Sequence, residues 1–156
     1  IKYEDLINTF KINTFAPIIL TQSFLKELKK YNGHVINISS IHSNLTKSEF
    51  TSYAASKSAL DSVTKSMSIE LSPEGILVNG ISPAAIHTKM LESGFKNNYG
   101  KIKELELLHP SRSIGSPQDL SNFIKSIVDL NSKFLSGSVI NFNGGISNRL
   151  LDPESN

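Results

Sequence analysis

From Tyr3 to Lys30, apolar side chains recur at intervals of three and four, through Leu6, Ile7, Phe10, Phe15, Ile18, Ile19, Phe24, Leu25 and Leu28. That period predicts a long amphipathic helix. Pro17 lies inside it, and a proline has no amide to offer the carbonyl four residues back, which belongs to Asn13. Asn32-Gly33 ends the helix, and His34 to Ser39 (HVINIS) reads as a short strand buried on both faces. A polar stretch from Ser40 to Phe50 follows. Thr51 or Ser52 is then expected to cap a second helix running to about Leu71, with Ala55, Leu60, Val63, Met67 and Ile69 turned inward. Ser72, Pro73 and Gly75 stop it.

Leu77 to Ser82 (LVNGIS) predicts a second strand, and Pro83 to about Pro110 a long excursion with short helical pieces. Excursions of that length inside compact domains usually carry function. Ser116-Pro117-Gln118-Asp119 starts a helix with Ser116 as its cap, leading into Leu120, Phe123, Ile124, Ile127 and Val128. Gly137 to Phe142 (GSVINF) predicts a third strand, closed by Asn143-Gly144-Gly145. No internal repeat or linker interrupts the pattern. Alternating helices and strands of this kind predict an α/β domain with parallel strands and right-handed crossovers. A length of 156 residues suits one compact core, so residues 1–156 read as a single domain.

Charge and composition narrow the function classes. Sixteen basic against fourteen acidic residues leave a net charge of +2, too weak and dispersed for a nucleic-acid surface. The absence of cysteine excludes a disulfide framework, a thiolate zinc site and a cysteine nucleophile, and suits a reducing, cytoplasmic compartment. No apolar stretch approaches the roughly 20 residues of a membrane span, and Ile1 opens no signal pattern. No membrane partner is expected. His34, His42, His87 and His109 share neither a paired helical spacing nor a cysteine, so no metal site is expected. Lys26, Lys29 and Lys30 suit the negative end of a helix dipole.

In an open α/β sheet, ligands sit beyond the carboxyl ends of the strands. Those ends are Ser39-Ser40, then Pro83 to Thr88, then Asn143 to Gly145. The second helix begins nearby with Tyr53-Ala54-Ala55-Ser56-Lys57, which puts a phenol and an ammonium one turn apart on one face. A cation that close favours phenolate, which suits proton exchange, and a serine hydroxyl at Ser40 could orient the same substrate oxygen. Taken singly, the Tyr-Lys spacing, the serine pair and Asn13 are each ordinary. Asn13 above Pro17, serines at a strand end, Tyr53 with Lys57, and Asn79-Gly-Ile-Ser-Pro83 in one order make a joint requirement that chance seldom meets.

These stretches, KINTFAP around Asn13, GHVINISS ending at Ser40, YAASKSAL from Tyr53, ILVNGISPAAIHTKM from Ile76 and GSVINFNGG near the end, resemble the short-chain dehydrogenase/reductase (SDR) family from about Tyr3 to Gly145. The resemblance implies a Rossmann-like doubly wound parallel sheet, of which this chain supplies the C-terminal strands and helices. It also implies NAD or NADP as cofactor and a small carbonyl or alcohol as substrate. By it Tyr53 is expected as proton donor to the substrate carbonyl and Ser40 as the residue polarising that carbonyl. Lys57 is expected to lower the tyrosine's pKa and hold the nicotinamide ribose, and Asn13 to hold a relay water through its main-chain carbonyl. Pro83, Ala84, Ile86 and Thr88 are implied cofactor contacts beside Tyr53 and Lys57, and Met90 to His109 a substrate lid. Ile41, Met90, Leu91 and Phe95 suggest an apolar substrate pocket, and outward apolar residues on the first two helices suggest a homo-oligomer, dimer or tetramer.

Two departures stand out. Ala84 replaces the glycine usual after that proline, with His87 where aspartate is common, and an alanine can crowd a close backbone approach. The family's glycine-rich phosphate loop, its residue choosing between NAD and NADP, and its first strands are expected ahead of Ile1, since no G-x-G-x-x-G occurs in the chain. The strand from His34 would then lack its neighbour on one side and become a bare edge. Two rival readings follow: a truncated, non-catalytic piece serving structure or interaction, and a binding module of another Rossmann-like class, which leaves the four polar residues unexplained.

Overall fold

A computed structural model describes residues 1–96 and 98–150. The helix expected from Tyr3 to Lys30 is broken into α1 (Tyr3–Phe10), a π-helical turn (Lys11–Phe15), α2 (Ala16–Ser23) and α3 (Leu25–Tyr31). The amide of Ala16 reaches back five residues to the Lys11 carbonyl, so the chain widens at Asn13. Pro17 falls in the first turn of α2, where its missing amide sacrifices no bond inside that helix. Phe24, at φ −99° and ψ 9°, makes the second break. Asn32, left-handed at φ 48°, ends α3.

Strands β1 (His34–Ile38), β2 (Leu77–Pro83) and β3 (Val139–Phe142) form a parallel sheet in the order β1-β2-β3. His34 lies opposite Leu77, Ile38 opposite Ile81, and Ile81 opposite Ile140. β2 is the central strand and is buried throughout. β1 differs from the expectation of burial on both faces, because among the described residues no strand covers its outer edge and Ile38 is left 38% exposed. Asn79, fully buried in β2, donates from Nδ2 to the Leu135 carbonyl and accepts from the Ser138 amide, tying the turn before β3 to the sheet.

The long helix α4 (Thr51–Leu71) packs on β2. Its cap is Phe50, with no side-chain bond, so neither Thr51 nor Ser52 caps it. Its buried face is also different from expectation: Ser56, Leu60, Asp61, Thr64 and Ser68 are inside, while Ile69 is 78% exposed and Ala55 is exposed. Small hydroxyl side chains can face the sheet because they bond to the helix's own carbonyls, Thr64 to Leu60 and Ser68 to Lys65. Asn37 of β1 then donates to Thr64 Oγ1 at 2.9 Å, joining strand to helix.

The excursion after β2 carries α5 (Lys89–Gly94), capped by Thr88, and α6 (Tyr99–Leu108), capped by Asn98. Asn97, within the expected lid, and residues 151–156 lie outside the described residues. Ile86 and Gly115 form a parallel bridge that pins both ends of the excursion. A Cβ on Gly115 would stand 2.6 Å from Ile86 Cδ1, so a side chain there would have to push the tip of Ile86 aside. The helix α7 (Pro117–Leu130) starts with the expected Ser116 cap, completed by Asp119 as a reciprocal capping box. Phe123 stacks on Phe142 at 5.1 Å between ring centres, seating α7 against β3.

Candidate active site

The end of β1 and the start of α4 meet beside the end of β2. The amide of Ser39 donates to the Ile81 carbonyl, which carries the chain past β1 in line with the sheet and leaves Ser40 6% exposed at the strand's end. Ser40 Oγ accepts the His42 amide at 3.2 Å, opening a single 3-10 turn. That turn lays the His42 ring edge-on to Tyr53 at 5.9 Å and against Phe50 at 4.6 Å, with Phe50 and Tyr53 themselves 5.9 Å apart. The phenol is thus held by two rings contributed by the loop that follows Ser40.

Lys57 Nζ donates to the Ile38 carbonyl at 2.8 Å, two residues before Ser40, and lies 5.8 Å from the centre of the Tyr53 ring. Burial holds its ammonium below the ordinary lysine range, and the charge of Asp61, one turn along α4, works against that shift. Burial, and after it the ammonium of Lys47, hold His42 below the ordinary histidine range, while the backbone at Leu45 pulls the other way.

Asn13 reaches the same place through a residue that sequence reasoning passed over. Its Nδ2 donates to Ser56 Oγ at 3.0 Å, and that hydroxyl donates to the Tyr53 carbonyl at 2.7 Å. Thr14 adds a bond from Oγ1 to the Ser56 carbonyl at 3.0 Å. The widened turn is therefore clamped to α4 one turn past Tyr53. The signal available in the sequence was Ser56 itself, a small polar residue three after Tyr53 and one before Lys57.

A cavity of about 310 Å³ opens along the free edge of β1, lined among others by Asn13, Pro17, Ile36, Ile38, Lys57 and Leu60. A second, of about 260 Å³, lies across the end of β2, between Ala84-Ala85 and the Phe142 to Gly144 turn after β3. Asn13, Ser40, Tyr53 and Lys57 are thus brought together. Pro83 is buried at the end of β2, Ala84 and Ile86 are half-buried, and Thr88 is exposed, its Oγ accepting the Leu91 amide as the cap of α5. Ile41, Leu91 and Phe95 are half-buried and Met90 is 85% exposed, and none of the four lines either of these two cavities. Among the described residues no three potential metal ligands cluster, and no helix is long and apolar enough to cross a membrane.

The chain is similar to known proteins over most of its length. The chain is 32% identical over 143 residues to 7alpha-hydroxysteroid dehydrogenase of Escherichia coli, covering 90% of this chain and 55% of that protein. It is 31% identical over 146 residues to the 3-oxoacyl-[acyl-carrier-protein] reductase of Rickettsia felis, covering 93% of this chain and 59% of that one. A solved 4-hydroxyisoleucine dehydrogenase mutant complexed with NADH and succinate superposes with a TM-score of 0.86 at 28% identity, over 96% of this chain and 62% of that chain. The chain therefore spans less than two thirds of the length of each. The family model described as enoyl-(acyl carrier protein) reductase matches residues 1–147, and with the parallel sheet and strand-end polar residues it establishes that this chain belongs to the short-chain dehydrogenase/reductase family.

Proposed function

We propose that the protein carrying this chain is a nicotinamide-dependent oxidoreductase that interconverts a small carbonyl compound and its secondary alcohol, with Tyr53 as general acid and base. The observation that carries this reading is the convergence of Tyr53, Lys57 and Ser40 at the end of β1, with Lys57 Nζ anchored on the Ile38 carbonyl and 5.8 Å from the Tyr53 ring. The family membership and the dehydrogenase relatives support it.

The residues present fit the nicotinamide end of NAD or NADP. An ammonium has three donors, and Lys57 Nζ commits one to Ile38, leaving two for ribose hydroxyls in the cavity it lines. Pro83 at the end of the central strand, and Ala84, Ile86 and Thr88 after it, would hold such a ring. The chain holds no G-x-G-x-x-G phosphate turn, so its residues are assigned to the nicotinamide end of the cofactor alone. When bound, the nicotinamide supplies or accepts the hydride.

The chain's own residues manage the proton and the substrate's position. Ser40 Oγ spends its acceptor capacity on the His42 amide and keeps its proton for the substrate oxygen. Tyr53 gives that oxygen a proton in reduction and takes one in oxidation. Lys57 favours the phenolate left behind, and Asn13, fixed by Ser56, turns a main-chain carbonyl toward a water that returns the proton. Exposed apolar residues on α2 and α4, Ile19, Leu20 and Ile69, suit packing in a homo-oligomer.

Tyr53→Phe tests the assignment. It keeps the ring against His42 and Phe50 and removes only the transferable proton, so turnover should fall by ~10²- to 10⁴-fold with cofactor affinity retained. Near-normal reduction of a generic diketone by that variant would remove Tyr53 from the chemistry.

A further inference from the structure

Asp61 is a buried charge to which the proposed chemistry gives no task. It lies on α4 one turn beyond Lys57, is 8% exposed, and its Oδ1 is buried with no hydrogen-bond partner among the described residues. Carboxylates are rarely buried without a partner, because water solvates them far better than a protein interior does. A polar group buried at such a disadvantage calls for a functional reason.

Lys57 is the cation placed to supply that reason. At positions i and i+4 of a helix the two β-carbons lie about 6 Å apart. No ion pair closes between the side chains, because Lys57 Nζ is turned to the Ile38 carbonyl instead. The carboxylate acts on the ammonium through a partly dry interior, where charge interactions are strengthened. Other charges are poorly placed to compete. Of the elements packed on α4, β2 brings no titratable group and the Ile41–Ser43 turn brings His42. The α1 and Lys11–Phe15 segments bring Tyr3, Glu4, Asp5 and Lys11, all exposed, and Glu74 pairs with Lys29. Lys65, one turn further along α4, is exposed.

We propose that Asp61 is a positioning residue for the proton-transfer site, a buried negative charge that holds Lys57 in its ammonium form at the end of β1. This rests on the roles given above to Tyr53 and Lys57. The direction of Asp61's influence on Lys57, opposing burial, agrees with it.

The test uses the protein in its natural reading frame with isotope-labelled lysine side chains, the Lys57 signal being identified with Lys57→Arg and followed through a pH titration by NMR. In Asp61→Asn, and equally in Asp61→Leu, Lys57 should lose its proton at a pH lower by roughly 0.5 to 2 units, the span between water-like and protein-like screening for an unpaired charge one helical turn away. Asp61→Glu should restore the wild-type titration. The alkaline fall of kcat should move down by the same interval, and both uncharged variants should melt at or above the wild-type temperature. An unchanged Lys57 titration in both uncharged variants, above all with a lowered melting temperature, would show that Asp61 serves structure alone and overturn the proposal. The titration needs no catalysis. If Tyr53→Phe keeps its turnover while Lys57 still shifts, the functional reading falls and the coupling of the two charges stands.

Discussion

Ser56→Ala puts the joint between the widened turn and α4 to the test. The substitution deletes one oxygen from a fully buried residue. That oxygen both accepts from Asn13 Nδ2 and donates to the Tyr53 carbonyl, so both bonds go together. Losing a neutral hydrogen bond costs about 0.5–1.5 kcal/mol, and a part-buried amide left unpaired costs about 1–3 kcal/mol. Alanine's better helix propensity returns about 0.5 kcal/mol. The net expectation is a loss of about 1–4 kcal/mol, or roughly 3–12 °C in melting temperature for a domain of this size. The bond from Thr14 survives, because it ends on the Ser56 main chain. Circular dichroism melts of Ser56→Ala, Asn13→Ala and the double variant close a thermodynamic cycle. Its coupling should be about 1 kcal/mol, because the second substitution removes a donor that has already lost its acceptor. Turnover should fall with it, as Asn13 loses its hold on α4. A single variant within about 0.5 kcal/mol of wild type, or a cycle that adds up within about 0.3 kcal/mol, would show that Asn13 is placed by the backbone alone.

Three other expectations follow from the same geometry. Pro17→Ala supplies an amide able to reach the Asn13 carbonyl, so turnover should drop while stability holds or rises; lower stability with unchanged turnover would dismiss the relay. His42 is held below the ordinary histidine value of 6.5, so the unfolded chain takes up its proton first as the pH falls. Its share of stability is complete above about 6.5 and lost as the pH falls through the lower, folded value, so the melting advantage of wild type over His42→Phe should be larger at pH 7.5 than at pH 5, and an equal gap would contradict this. The 156 residues expressed alone should self-associate through the open edge of β1 and fail to bind NADH, read by light scattering and nicotinamide fluorescence; a monodisperse monomer that binds NADH at micromolar strength would refute both.

The strands were the most legible part of the chain, and for a simple reason. HVINIS, LVNGIS and GSVINF are short β-branched runs bounded by glycine, proline or asparagine, and the structure places a strand on each, β2 running one residue past its run to Pro83. Ser40, Tyr53 and Lys57 could be placed from the sequence because they sit at a strand end or a helix start that the pattern locates, and Asn13 because Pro17 four residues on marks its carbonyl. The inner face of α4 was not. A hydropathy count turns Ser56, Asp61, Thr64 and Ser68 outward and Ile69 inward, yet the burial is the reverse. Thr64 and Ser68 satisfy themselves on their own helix's carbonyls, so burying them leaves no hydroxyl unpaired, and their small size lets α4 lie close to β2. Ser56 and Asp61 were hidden by that same reversal.

β1 carries the opposite lesson. Its apolar pattern is the one that suits a strand covered on every side, yet among the described residues only β2 pairs with it, and its free edge opens on the cavity that holds Asn13 and Lys57. A strand whose pattern suits two neighbours, with Asn13 and Lys57 beside its vacant edge, presents a surface on which another strand can pair. Whatever segment pairs with β1 would also wall the cavity in which Lys57 Nζ keeps its two uncommitted donors. Under the proposed function, closing the sheet and completing the cofactor site would be one event. Adding a polypeptide that supplies the missing strand should restore monodispersity and NADH binding together, and recovery of either one without the other would separate them.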